Sequence, residues 1–241
     1  MTYLESIILG IIQGLTEFLP VSSSGHLILG QYFFGIQEPG ISFEVMVHLG
    51  SLIAVLIYFQ KDLMLLIKSF FKVFSKNKST QDVDNLKIIG YLLVATFVTG
   101  VIGIVFKDTF TEFFDNPLLA AIMLSVTGLI VFLSDKMPGD SIKTKDIGVV
   151  KSLIIGLGQA FAILPGISRS GTTIAVSLAL GVKREDAPRF SFLLSIPAIL
   201  GATILDLPEL VAAPTKQLFV YSSGAVAAFV SGLLVISLLI N

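Results

Sequence analysis

The chain has no cysteine among its 241 residues, which excludes disulfides and thiol chemistry and leaves its redox compartment open. Charge is scarce too: 14% of residues are Asp, Glu, Lys or Arg, against about 25% in a soluble domain. With 54% hydrophobic residues, that shortage excludes an ordinary soluble domain and points to an integral membrane protein. The short alternating segments of a β-barrel are missing, and the apolar runs read as helices. A net charge of −1 carries no message about partners, and nucleic acid is not expected among them. The N-terminus lacks the basic region and small-residue cleavage site of a signal peptide, so the first apolar segment is expected to stay in the mature protein.

Against this background two polar stretches stand out. The first is Gln13-Gly14-Leu15-Thr16-Glu17-Phe18-Leu19-Pro20-Val21-Ser22-Ser23-Ser24-Gly25-His26. The second runs from Gln159 through Leu164-Pro165-Gly166-Ile167-Ser168-Arg169-Ser170-Gly171-Thr172-Thr173. A charge at the bilayer centre costs roughly 2.5–3.5 kcal/mol even on the lenient insertion scale, so such groups call for a purpose. We expect both to meet inside the membrane as one phosphate-handling site.

In chain order, Ser6 to Leu19 is apolar but ends at Pro20. Its roughly 14 residues rise about 21 Å as a helix, short of the ~30 Å hydrocarbon thickness. A re-entrant hairpin over 6–34 therefore fits better than a single kinked span. Spans are expected over 44–59, 86–106 and 117–134, with an amphipathic segment from Leu63 to Phe74 lying along the interface. Asp108, Glu112 and Asp115 mark an acidic loop, and Asp135 to Lys151, including Met137-Pro138-Gly139-Asp140, reads as a linker. A second hairpin is expected over 150–181, its first limb reaching Leu164. Spans over 190–205 and 218–240 follow, separated by a loop holding Asp206, Pro208, Glu209 and Pro214.

The second half repeats the first. Gly10, Gln13, Ser22, Ser24 and Gly25 correspond to Gly156, Gln159, Ser168, Ser170 and Gly171 at an offset of about 146. Val94 to Gly100 likewise resembles Val226 to Gly232. The repeats occupy 1–134 and 150–241. If each hairpin re-enters on its own side, every Lys and Arg except Lys107, Lys216 and Arg169 falls on one face, as the positive-inside rule favours. The expected fold is an all-α polytopic membrane protein, an inverted-topology repeat whose two re-entrant hairpins meet near the midplane. A counterpart of the 117–134 segment is not found in the second half; either that span is dispensable or the chain is short of its full length.

Glu17 lies four residues after Gln13, on the same helix face. It suits a general base or a ligand to a hard cation, and the plainer alternative is a carboxylate that only pairs with Arg169. Ser22, Ser23, Ser24 and Gly25 suit a helix N-terminus, with capping the default for Ser22. A serine beside a base is also a candidate nucleophile. His26 is an acid, base or ligand by virtue of its neighbours, whereas His48 reads as a packing residue. Ser168, Arg169, Ser170, Thr172 and Thr173 form an anion cradle in which the guanidinium grips phosphate oxygens.

These motifs, with Phe43-Glu44-Val45 and Phe190-Ser191-Phe192-Leu193-Leu194, resemble the undecaprenyl-diphosphate phosphatases, the bacitracin-resistance family, from the N-terminus to about Ile240. The resemblance implies hydrolysis of a C55 polyprenyl diphosphate to the monophosphate carrier lipid at the outer side of the cell membrane. It also implies a divalent cation, Mg²⁺ or Ca²⁺, and two re-entrant helix pairs. By the same likeness Glu17 is the essential glutamate, Ser23 the favoured nucleophile and His26 an acid/base group or itself the nucleophile. Arg169 binds phosphate, supported by Ser168 and Thr173. Gln13 stands where many members have a second glutamate, which weakens any scheme with two carboxylates on a metal. A nucleophilic water, a homodimer, and a transporter or flippase of phosphate-bearing lipids or small anions remain open alternatives.

Overall fold

The computed structural model describes residues 1–36, 42–137 and 139–240; Pro138, in the expected linker, lies outside the described residues. The chain enters its first helix at Thr2, which shares a reciprocal capping box with Glu5. Helix α1 (Tyr3–Phe18) stops where Pro20 holds Leu19 extended, at φ −67° and ψ 144°, because the proline ring disfavours a helical residue before it. After α2 (Ser23–Phe34) come α3 (Ser42–Tyr58), α4 (Gln60–Phe71), α5 (Thr80–Val105), α6 (Lys107–Phe114) and α7 (Pro117–Asp135). A 3₁₀ turn at Thr144–Asp146 leads to α8 (Val149–Phe161), α9 (Arg169–Ala179), α10 (Asp186–Ala212) and α11 (Thr215–Ile240). Among the described residues the only β pairing is an isolated bridge between Ile142 and Val182.

Among the described residues α5, α7, α10 and α11 are long and apolar enough to cross a membrane, and α3 with α4, bent by 79°, makes a fifth if it counts as one span. Several boundaries differ from expectation for local reasons. α5 begins at Thr80 rather than Leu86 because Ser79 and Asp82 form a second capping box. The acidic loop after it is the short helix α6. α8 ends at Phe161, where the Ala162 amide closes the last turn ahead of Pro165. α10 runs through Pro197 and Pro208, absorbing the start of the loop expected from Asp206 onward. Prolines are tolerated inside such helices when neighbours and local adjustments satisfy the freed carbonyls.

Lipid tails are as apolar as leucine, so helices here gain from close packing rather than from escaping water. α1 lies against α11, where a Cβ on Gly10 would collide with the Gly224 backbone. α8 lies against α5 in the same way, and a Cβ on Gly156 would sit 2.7 Å from the Ala95 oxygen. Matching hydroxyls bridge the two contacts: Ser231 to the Ile11 carbonyl at 3.4 Å, and Thr99 to the Gly156 carbonyl at 3.0 Å. Each broken helix thus packs on a long helix of the opposite half. The largest core cluster gathers where Phe192 meets Phe18 and Phe59, with ring centroids 5.9 and 6.2 Å apart.

Candidate active site

Both breaks end in a serine cap. Ser22 accepts from the Gly25 amide at 3.4 Å, and Ser168 from the Gly171 amide at 3.1 Å. In each case the hydroxyl two residues on stands alongside, Ser24 at 3.3 Å and Ser170 at 3.2 Å. The tips touch: the Ser170 hydroxyl donates to the Leu19 carbonyl at 3.2 Å, and a Cβ on Gly25 would lie 2.9 Å from Gly166 Cα. Thr127 of α7 pins the second tip, donating to the Gly166 carbonyl at 2.7 Å and accepting from the Ser168 amide at 2.9 Å.

Glu17, buried in the last turn of α1, receives the Arg169 guanidinium on Oε1. Its Oε2 accepts from the Ser23 hydroxyl at 2.5 Å and the Gln13 amide at 3.0 Å. A hydroxyl held on a carboxylate has the geometry expected of a candidate nucleophile beside a base. Helix N-termini leave their first amides without intrahelical partners, so α2 and α9 bring backbone donors to the same place.

These groups open onto a cavity of about 540 Å³, lined by Glu17, Ser22, Ser23, Ser24, Ser168 and Arg169. The rest of its wall is mostly apolar, with Ile104, Phe110, Phe114 and Ile204, and it includes Lys107 and Asp206, paired at 3.0 Å. A smaller cavity of about 250 Å³ adjoins the basic segments. Two of its charges are paired within the fold: Arg189 with Asp62, and Lys145 with Asp84 at 2.7 Å. The hydrogen bond that Lys145 donates to Asp84 raises the pKa of its ammonium above the usual range.

Other expected site residues are engaged differently. Ser170 is spent on Leu19. Thr173 donates to the Arg169 carbonyl at 2.8 Å and meets the Ser191 hydroxyl at 2.6 Å. Thr172 is buried with its hydroxyl unpartnered, and none of these three lines the cavity. Gln13 is buried and acts through Glu17. His26 turns Nδ1 to the Ser22 carbonyl at 2.8 Å and does not line the cavity either.

His48, read from sequence as packing, does line it, with Nε2 at 3.6 Å from Glu17 Oε2. Glu44 lines it as well, and Ser51, which accepts from Gln13 at 3.3 Å, completes a polar stripe on α3. Glu44, His48 and Ser51 follow one another at helical spacing inside an apolar run, the signal by which they were open to recognition.

The donor set does not fit a resident cation. Glu17 is a single carboxylate with both oxygens taken, one by a guanidinium. Among the described residues no three His, Asp or Glu side chains converge as a metal site.

The family described as bacitracin resistance protein BacA matches residues 6–241. An undecaprenyl-diphosphatase of Syntrophotalea carbinolica is 44% identical, the alignment covering 100% of this chain and 90% of the relative. Undecaprenyl-diphosphatase 1 of Shouchella clausii is 42% identical, over 100% and 88%. An undecaprenyl-diphosphatase of Methanobrevibacter smithii is 41% identical, over 100% and 89%. On this match, which runs nearly end to end, the chain belongs to the bacitracin resistance protein BacA family.

Proposed function

We propose that this chain is a multi-pass membrane phosphatase that converts undecaprenyl diphosphate to the monophosphate carrier lipid and inorganic phosphate. The observation that carries the reading is the junction of Ser23, Glu17 and Arg169 on the wall of a largely apolar cavity. Ser23 Oγ attacks the distal phosphorus while its proton passes to Glu17. The bond from that phosphorus to the bridging oxygen breaks, and the lipid monophosphate leaves with the electron pair. Arg169 and the first amides of α2 and α9 hold the charge gathering on the phosphoryl oxygens. Water then cleaves the phosphoserine, returning Ser23 and releasing phosphate. A carrier needs the guanidinium but has no use for a hydroxyl held against a carboxylate.

The divalent cation of the family, Mg²⁺ or Ca²⁺, enters in this scheme as counter-ion of the diphosphate rather than as a resident of the protein. The two broken helices are re-entrant hairpins of an inverted repeat; the crosswise packing of α1 on α11 and α8 on α5 supports this. Ties between basic segments, Lys145 to Asp84 and Arg189 to Asp62, support a common cytoplasmic face. The cavity then opens outward, beside Lys107 and Asp206.

Purified protein in detergent is expected to release phosphate from undecaprenyl diphosphate. Ser23→Ala is expected to lose at least about 10³-fold in kcat while still binding lipid; retained turnover removes Ser23 from the nucleophile role. The cysteine-free chain suits labelling of Ser24→Cys, Lys78→Cys and Lys216→Cys from each side. Labelling of Ser24→Cys and Lys78→Cys from the same side overturns the orientation.

A further inference from the structure

Catalysis asks Arg169 to do two things with one fork. At rest its Nη2 serves Glu17 Oε1, and a diphosphate that draws the guanidinium onto its own oxygens competes with the carboxylate for that bond. Glu17 would then face an incoming anion with two neutral partners, the Gln13 amide and a Ser23 hydroxyl about to give up its proton. A buried carboxylate in that position is left without a charged partner and loses the contact that fixed its orientation.

α3 supplies a further group at this point. His48 donates Nδ1–H to the Glu44 carbonyl oxygen, one turn back, at 2.7 Å. That bond fixes the ring plane and leaves Nε2 as the atom facing Glu17, 3.6 Å from Oε2; with Nδ1–H already given to the carbonyl, Nε2 donates only in the imidazolium form, so the partner offered to Glu17 is a cation. The distance is too long for a hydrogen bond and short enough that a small ring movement closes it. The charged groups around the ring are Glu17 on α1, Glu44 on its own helix, and Arg169 through Glu17.

We propose that His48 is the reserve partner of Glu17: it closes on Oε2 as Arg169 turns to the phosphate and holds the carboxylate in line with Ser23. It is a positioning residue, acting through Glu17 without touching the reacting atoms. This rests on the phosphatase reading above. Phosphate release by the unaltered protein tests that reading on its own, so the two fail separately.

What the role requires is a donor at the place of Nε2, which a glutamine amide reaches and a leucine does not. The measurement is steady-state phosphate release from undecaprenyl diphosphate, with thermal melting of each variant in the same detergent. His48→Leu is expected to lower kcat about tenfold or more with KM within about threefold, the pattern of a group that matters after binding. His48→Gln is expected to keep at least about a third of kcat. Should His48→Leu melt early, His48→Asn, polar but too short to reach Glu17, is expected to show the same loss. A loss below about threefold in the folded Leu or Asn variant overturns the proposal. So does a Gln variant as impaired as Leu, which assigns the imidazole its own proton chemistry instead.

Discussion

The two helix breaks are built alike and loaded differently. Each has a serine cap bonded to a glycine amide and a second hydroxyl two residues on. The first carries the carboxylate, the Ser23 hydroxyl bonded to it and a serine at a left-handed φ of 67°; the second carries the guanidinium and places glycine, Gly166, at φ 91°. The first break receives Ser170 on its Leu19 carbonyl, whereas the second is pinned by Thr127. A shared backbone device therefore brings amides to one point, and in the proposed reaction side chains decide which tip reacts and which tip holds phosphate.

The sharpest test is to exchange the loads. Glu17→Arg with Arg169→Glu restores opposite charges at the junction but moves the base away from Ser23. We expect it to melt above either single variant yet fall at least about 10³-fold in kcat; preserved turnover would mean that the tips are interchangeable. Gly166→Ala comes next. Its Cβ would lie 2.7 Å from Met123 Cβ on a backbone with positive φ. Steric and conformational strain are expected to cost about 2–4 kcal/mol, read as a lowered melting temperature with most activity gone. Thr127→Val leaves the Ser168 amide and Gly166 carbonyl without partners, costing about 1–3 kcal/mol and raising KM more than it lowers kcat. Ser22→Gly is the smallest effect. Relief of about 1–2 kcal/mol of backbone strain is offset by about 0.5–1 kcal/mol from a looser unfolded chain and by a few tenths from the lost cap. A slight gain in melting temperature is expected; a clear loss would show that the hydroxyl at the first tip is worth more than its strain.

Glu17, Ser23 and Arg169 were legible in the sequence because a bilayer makes polar groups conspicuous. His48 and Glu44 carry the same signal more faintly, one residue at a time along a helix that reads as an ordinary span. Whether their stripe meets α1 or lipid depends on how α11 wedges between helices far apart in sequence, which periodicity does not encode. Thr127 is hidden likewise, since an isolated threonine in an apolar helix more often bonds its own backbone. His26 drew notice for its place in a conspicuous motif; one turn below the cap, its ring returns to the Ser22 carbonyl. Pro208 of α10 misled in the opposite direction, because the rule that proline ends helices was learned in water.

The crosswise packing of α1 on α11 has a consequence for biogenesis. The Ser6 hydroxyl finds its acceptor on Val220, so α1 has to wait until the chain has grown 214 residues further before its seat exists. Until then its carboxylate and serines have no shelter of their own, and contacts so distant in sequence are slow to form. Loss of α11 would therefore be felt at α1, in the acid half of the site, sooner than in the residues beside the cut.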